Sequence, residues 1–429
     1  MSEVLCVRGG VPLHGNIKVG GAKNATLPIL IATLLASEPC TISNVPKLED
    51  VAILLRLLEH FGARTKLKDD SAEIYIPEIT AADTSYSLVK ALRASFWVLG
   101  PLLARKREAH IALPGGDLIG ARPVDLHLSA LTQMGAEIQV KNGAVHAVAP
   151  GGLRSAEIEF KFPSVGATHQ VLMAAALTPG RTVIRNAARE PEVVALADFI
   201  TRLGAKVEGA GTSDVIIFGE EKLGGAHLAL IGDRIEAATY ALAALATGGC
   251  IQIDGFNAQY FGEFLEILDN LGAKVTVGND FVQVLAQGRI KALHVQTGPF
   301  PHFATDMHPV LMAAMTLADG ESSITENIFE GRFGHVAELS RFGAQIVVNG
   351  RVARIKGVPK LSGAPVDAHD IRAGAALVVA ALAAEGETVI HEIHHLRRGY
   401  ASIESKLSNL GARIESQNED LEDTLLVGC

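Results

Sequence analysis

Lys23, Arg234 and Arg372 stand 39, 38 and 39 residues ahead of Gly62, Gly272 and Gly411, and Arg93 stands 42 ahead of Gly135. Arg122 and Arg398 precede Gly135 and Gly411 by 13 residues each, and Arg332 precedes Gly343 by 11. Such cations make charge-assisted hydrogen bonds to phosphate and carboxylate, and arginine can do so through two parallel N–H groups. The first set falls at predicted helix starts, where unpaired backbone N–H groups and the helix dipole already favour anions. A basic side chain there opposes the dipole by roughly a few tenths of a kcal/mol unless an anion is close. The competing reading is a set of solvated or salt-bridged cations; taken together, the positions point to a polyanionic ligand.

A second chemical feature occurs once: Leu113-Pro-Gly-Gly-Asp-Leu-Ile-Gly-Ala-Arg-Pro-Val-Asp-Leu-His127. Three glycines around Asp117 suit a loop that closes over a ligand and excludes water. An ordinary turn aspartate is the alternative.

The elements that must position these groups form a repeat. Six segments of helical character end on an apolar residue followed by Gly-Ala, with glycines at 62, 135, 204, 272, 343 and 411. Each glycine is suited to the left-handed conformation just past a helix end. Before it runs an amphipathic helix, as in Phe264, Leu265, Ile267, Leu268 and Leu271, or Val194, Leu196, Phe199, Ile200 and Leu203. After it comes a β-prone stretch such as Lys274-Val-Thr-Val or Gln345-Ile-Val-Val. The first half of each unit is a helix apolar nearly all round, as from Thr26, Gln170 or Gly374, followed by strand signals at Cys40, Arg181, Cys250, Ser322 and Glu387. Units of about 70 residues that alternate helix and strand predict an α/β repeat protein.

With 429 residues, two domains of three repeats each are the economical expectation. If their basic helix ends face each other, the cations converge on one cleft. Hydrophobic residues make up 48% of the chain, yet no apolar run reaches the roughly 18 residues of a spanning helix. The start lacks the pattern of a signal peptide, and Cys6, Cys40, Cys250 and Cys429 lack metal-ligand spacing. A cytoplasmic protein with free thiols is expected. The net charge of -9 argues against a nucleic-acid surface.

Three other motifs carry little weight. His391-Glu-Ile-His-His395 matches a zinc-protease pattern but continues a predicted strand, where positions four apart cannot share one ion. Asn24-Ala-Thr26 is a glycosylation sequon, inert without secretion. Gly115, Gly116 and Gly120 fit no nucleotide-loop spacing.

Gly20-Gly-Ala-Lys-Asn-Ala25, Leu92-Arg-Ala-Ser, Gly120-Ala-Arg-Pro-Val-Asp-Leu-His127, Phe162-Pro-Ser-Val-Gly-Ala-Thr168, Ala188-Arg-Glu-Pro-Glu192, Thr305-Asp-Met307 and Arg397-Arg-Gly-Tyr400 together resemble the UDP-N-acetylglucosamine 1-carboxyvinyltransferases. The resemblance runs in order from about residue 7 to 412. Sister enzymes acting on shikimate 3-phosphate share the six repeats but lack the loop ending in His127.

The resemblance implies a two-domain inside-out α/β barrel of six βαβαββ units. Residues 1–21 and 231–429 would form one domain, and 22–230 the other, carrying a mobile loop over 112–123, with the active site between them. It implies transfer of the enolpyruvyl group of phosphoenolpyruvate to the 3′-hydroxyl of UDP-N-acetylglucosamine, the first committed step of peptidoglycan precursor synthesis. The alternatives are a related transferase with another acceptor and a UDP-sugar binding protein without catalysis. No cofactor, metal, nucleic acid or membrane is implied, and oligomeric state is not.

By the same resemblance, Lys23, Arg122 and Arg398 hold the phosphate of phosphoenolpyruvate and Arg332 and Arg372 lie near its carboxylate. Asp306 is the base at the sugar hydroxyl, and Asn24 positions the sugar. Arg122, Pro123, Val124, Asp125 and Leu126, with Ser164, Val165 and Gly166, cradle the uridine diphosphate, with contacts from Arg93 and Ile328. Asp117 stands where most relatives carry a loop cysteine. His169 follows Gly-Ala-Thr168 where an acidic or neutral residue is common; packing and a pH-dependent charge near the diphosphate are both open.

Overall fold

The computed structural model describes residues 2–419, apart from 85, 87–88, 90–91, 115–118 and 121–122. Two compact units emerge. One gathers Met1–Gly20 and Gly232–Cys429, together with the described loop residues Ile119 and Gly120; the other comprises Gly21–Gly116 and Arg122–Ile231. The chain therefore passes from one unit to the other after Gly20 and returns after Ile231.

Each unit holds three small sheets built on one plan, a short parallel pair followed by an antiparallel hairpin. The strand His294–Gln296 lies parallel to Glu321–Thr325, which pairs antiparallel with Val352–Lys356, itself paired with Gln345–Asn349. Glu157–Glu159, Gly180–Arg185, Asp214–Gly219 and Lys206–Glu208 repeat this order in the second unit. In the sheet of Glu108–Ala112, Ala144–Val148 and Glu137–Lys141, the parallel partner shrinks to a single bridge between Asp83 and His110.

The strand pairing departs from a simple tandem repeat in two ways. His14–Lys18 leads into a helix of the second unit but pairs with Cys250–Asp254 of the first. His227–Ala229 does the reverse, pairing with Cys40–Ser43. In the sixth repeat Ser2–Arg8 takes the place of the last strand, lying between Glu387–His391 and Arg413–Glu419.

The first helix of each repeat is interior. In Ile371–Ala383 every residue from Arg372 to Leu382 is buried, and Arg234–Thr247 is buried from Arg234 to Leu245. A helix apolar on all sides finds no face for water and is covered by its two sister helices and the sheets. The second helices are amphipathic, as expected, with one correction. In Pro191–Leu203 it is Val193 that is fully buried, while Val194 is 37% exposed, because the 3.6-residue period turns Val194 away from Leu196, Phe199, Ile200 and Leu203.

All six repeat glycines have positive φ, from 88° at Gly343 to 123° at Gly204. At Gly62 a Cβ would also lie 2.6 Å from the Glu78 carbonyl oxygen, whereas at Gly343 it would meet nothing within 4 Å. The Gly-Ala signal thus reflects backbone conformation first and packing only in places.

Candidate active site

In the first unit, three of the sequence-predicted residues meet directly. Arg332 Nη2 donates to Asp306 Oδ1 at 2.9 Å, and Arg372 Nη2 donates to Asp306 Oδ2 at 3.1 Å. Both guanidinium groups are buried, while Asp306 keeps 28% of its side chain exposed. Arg372 also donates from Nη1 to the Tyr400 hydroxyl at 3.4 Å, and its guanidinium lies 5.7 Å from that ring's centre. The Tyr400 hydroxyl is in turn 2.8 Å from Thr239 Oγ1. Burial alone would lower the pKa of Arg372; the Asp306 carboxylate, with Tyr400 and Asp233, reverses this and raises it. The guanidinium is a permanent cation.

Local sequence explains how each group arrives. Asp370 caps the helix Ile371–Ala383, accepting from the backbone N–H of Arg372 at 2.7 Å and of Ala373 at 2.9 Å. That cap holds Arg372 in the first turn and offsets the dipole against the cation. Asp306 sits in the single turn Thr305–Met307 that opens the helix His308–Met315. Arg332 is on the loop before Val336–Arg341, and the Gly331 N–H beside it donates to the Ile119 carbonyl at 2.9 Å. Arg398 follows the short helix His394–Arg397. A Cβ at the next residue, Gly399, would lie 2.2 Å from Ile371 Cγ2, so only glycine brings this turn so close to the helix start bearing Arg372. Its neighbour Arg397 is structural, paired to Glu3 and Glu404.

In the second unit, Lys23 opens the helix Lys23–Ala32 and forms a buried ion pair with Asp50 at 2.9 Å. The helix-entry cations at Lys23 and Arg372 therefore do face anions, but those anions are carboxylates of the chain itself. Asn24 occupies the same first turn. Arg93 begins the turn Arg93–Val98 that leads into Leu99–Lys106.

The predicted diphosphate segments converge. Ser164 caps the helix Val165–Ala176, its Oγ accepting from the Ala167 N–H at 3.3 Å, and Val165 and Gly166 form the first turn. Pro123 and Val124 lead into the helix Asp125–Gln133, whose first residues are Asp125 and Leu126. A Cβ on Gly166 would lie 3.0 Å from the His127 ring and 3.1 Å from Trp97 Nε1, so this glycine lets the two helix starts and the Arg93 turn pack together. Phe96 and His127 meet edge to face at 5.6 Å. Backbone N–H groups at two adjacent helix starts suit an anion.

His169 belongs to this packing. It is fully buried, with its ring 5.2 Å from that of Trp97 and nearly perpendicular to it. Burial lowers its pKa to about 3, so it stays neutral and brings no switchable charge to the site. His308 and His335 are likewise buried with lowered pKa values, chiefly through burial. Each takes up a proton in the unfolded chain near pH 6.5 that the native state refuses, so stability falls as pH drops below that value. His169→Leu is expected to flatten this fall by about 1.4 kcal/mol per pH unit between about pH 6 and pH 4, read from urea unfolding. An unchanged slope would mean that the native imidazole is already protonated there.

Two predicted residues, Asp117 and Arg122, lie outside the described residues, as does part of the 112–123 loop. The His391 to His395 stretch corrects the expectation of a continuing strand. The strand ends at His391, Glu392 turns with a φ of 56°, and His395 lies in the following helix. Glu392, His394 and His395 have ligand atoms within 4.8 Å of one another among the described residues, on an exposed turn. Sequence reasoning missed Asp50, Glu326 and His308. Buried polar side chains outside any recognised motif carry no periodic signal.

A family model described as EPSP synthase (3-phosphoshikimate 1-carboxyvinyltransferase) matches residues 7–407. The UDP-N-acetylglucosamine 1-carboxyvinyltransferase of Afipia carboxidovorans is 50% identical over 95% of this chain and 97% of its own. That of Trichlorobacter lovleyi is 48% identical over 97% of this chain and 100% of its own. Among solved structures, the enolpyruvyl transferase NikO from Streptomyces tendae matches with a TM-score of 0.88 and 26% identity, covering 98% of this chain and all of that one. EPSP synthase from Acinetobacter baumannii matches with a TM-score of 0.75 at 18% identity, over 97% of this chain and 100% of its own, a likeness of fold. No helix among the described residues is long and apolar enough to cross a membrane. The enolpyruvyl transferase fold and full-length identity near one half place the chain in the EPSP synthase family, among its UDP-N-acetylglucosamine 1-carboxyvinyltransferases.

Proposed function

We propose that this protein transfers the enolpyruvyl group of phosphoenolpyruvate to the 3′-hydroxyl of UDP-N-acetylglucosamine and releases phosphate. The observation that carries the chemistry is Asp306 held between Arg332 and Arg372, a carboxylate joined to two buried cations. Phosphoenolpyruvate presents a carboxylate and a phosphate; UDP-N-acetylglucosamine presents a diphosphate and a neutral hydroxyl that needs a base.

In the addition step, Asp306 takes the proton of the sugar hydroxyl as its oxygen bonds to C2 of phosphoenolpyruvate, while a proton is added to the methylene C3. The tetrahedral intermediate carries carboxylate and phosphate on one carbon. In the elimination step C3 loses a proton, the double bond re-forms, and the C2 to phosphate-oxygen bond breaks. Arg332 and Arg372 hold the carboxylate, and Lys23, Arg122 and Arg398 hold the phosphate as charge builds on it. Asn24 orients the sugar, and the helix starts at Asp125 and Val165, with Arg93 and Ile328, bind the nucleotide.

Asp117 is the proton donor to C3 in this reading, the place where most relatives carry cysteine. A carboxylic acid donates only while protonated, and its reference pKa near 3.9 must rise. Exclusion of water raises it and neighbouring arginines oppose the rise. The reading calls for action in the cytoplasm.

Its test is the product. Incubation with both substrates should yield the 3′-enolpyruvyl ether of UDP-N-acetylglucosamine, identified by mass and by vinyl proton resonances, and the 3′-deoxy sugar should give none. Turnover of the 3′-deoxy sugar would overturn the proposal.

A further inference from the structure

We propose that Glu326 is a positioning residue for the reaction, setting the Asp306 turn and the Arg332 loop in one register. It rests on the reading of Asp306 as the base. Glu326 has no exposed surface. Its Oε2 accepts from Thr305 Oγ1 and from His308 Nδ1, both at 2.9 Å. Its Oε1 accepts from Thr297 Oγ1 at 2.9 Å and from the backbone N–H groups of Ile328 at 2.7 Å and Phe329 at 3.0 Å. One oxygen thus grips the residues on either side of Asp306, one before and two after it. The other grips the start of the loop that carries Ile328 and Arg332.

The alternative of mere stability fits these groups poorly. A buried carboxylate is costly to desolvate, and a packed apolar cluster in place of the carboxylate and its side-chain donors together would stabilise the fold as well or better. Its burial is offset by five donors. These, His308 foremost, bring its pKa down to about 2 despite burial, so it is an anion that can only accept. His308, neutral through burial, then donates from Nδ1, and its ring rests against Phe333 and His335, 5.1 and 5.5 Å away. A buried carboxylate with donors on both of its oxygens specifies one arrangement where an apolar contact would allow several. The arrangement specified is the distance from Asp306 to Arg332.

Thr305 and Thr297 each give one hydroxyl to the same carboxylate, but only Thr305 borders Asp306, while Thr297 Oγ1 also accepts from the Asn327 N–H at 2.9 Å. Thr305→Val in the full chain is expected to lower kcat about tenfold, with KM for phosphoenolpyruvate within about twofold and Thr305→Ser restoring activity. Thr297→Val is expected to lower the urea midpoint at least as much, with kcat within about threefold. His308→Phe, which deletes the other Oε2 donor and fills the ring's volume, should follow Thr305→Val in kcat and serves if that variant does not fold. Equal losses of kcat in the Thr305 and Thr297 variants would reduce Glu326 to a structural residue and overturn the proposal, as would unchanged kcat in Thr305→Val or His308→Phe. An active Asp306→Asn variant would instead sink the underlying reading of the base, so the two failures are told apart.

Discussion

Asp306→Asn is expected to lower kcat by about 10²–10⁴-fold, the range for loss of a positioned general base. The substitution keeps the side chain's shape and removes its charge and basicity. It also turns a nitrogen donor toward one of two guanidinium groups, Arg332 Nη2 at 2.9 Å or Arg372 Nη2 at 3.1 Å, which then lacks its acceptor. Arg372 is the more constrained of the two, since it stacks on Tyr400 and its helix start is capped by Asp370. The lost charge therefore acts twice, on proton removal and on how firmly the arginines are held. Binding of UDP-N-acetylglucosamine should weaken far less than turnover, because its diphosphate is held by other groups; calorimetry on the variant separates the two. A variant within about threefold of the parent in kcat would show that the hydroxyl proton leaves by another route.

If Asp117 stands at the family's loop cysteine, as the proposed function has it, fosfomycin, an epoxide that alkylates a thiolate, is expected to form no covalent adduct on the loop of this protein. A carboxylate is a far weaker nucleophile toward the epoxide than a thiolate, and here it is proposed to act as an acid. Asp117→Cys should retain turnover and gain an adduct on the loop peptide, seen in the intact mass and by peptide mapping. Asp117→Asn, which has no proton to give at C3, should lose kcat by about 10²-fold or more. Because only the protonated acid donates, kcat of the parent should fall as pH rises through the pKa of that acid, and Asp117→Cys should move that limb upward. An adduct on the parent's loop peptide would contradict the assignment.

Much of the fold was legible because the repeat writes its geometry into residue types. Glycines with positive φ had to be glycine, and fully apolar helices had to be interior. The strand at Cys40–Ser43 follows from composition as it stands. The pairing of strands was not legible: His14–Lys18 pairs with Cys250–Asp254, more than 230 residues on, and Ser2–Arg8 completes a sheet some 380 residues away in sequence. Hydrophobic periodicity specifies which face is buried and says nothing about which partner covers it.

The site divides in the same way. Lys23, Arg93, Arg234 and Arg372 were found by their shared place at helix starts, and all four stand in the opening turn of their helices. What position alone misjudged was their partners, since Asp50 and Asp306 come from distant parts of the sequence. Glu326 was invisible for a related reason. Its surroundings, Thr297, Thr305, His308 and two backbone N–H groups, assemble only when the strands Glu321–Thr325 and His294–Gln296 pair.

Phosphate release tests the central claim most directly. With phosphoenolpyruvate present, the purified chain should release phosphate stoichiometrically with added UDP-N-acetylglucosamine and release none with shikimate 3-phosphate. Release with shikimate 3-phosphate and none with the UDP-sugar would contradict the account.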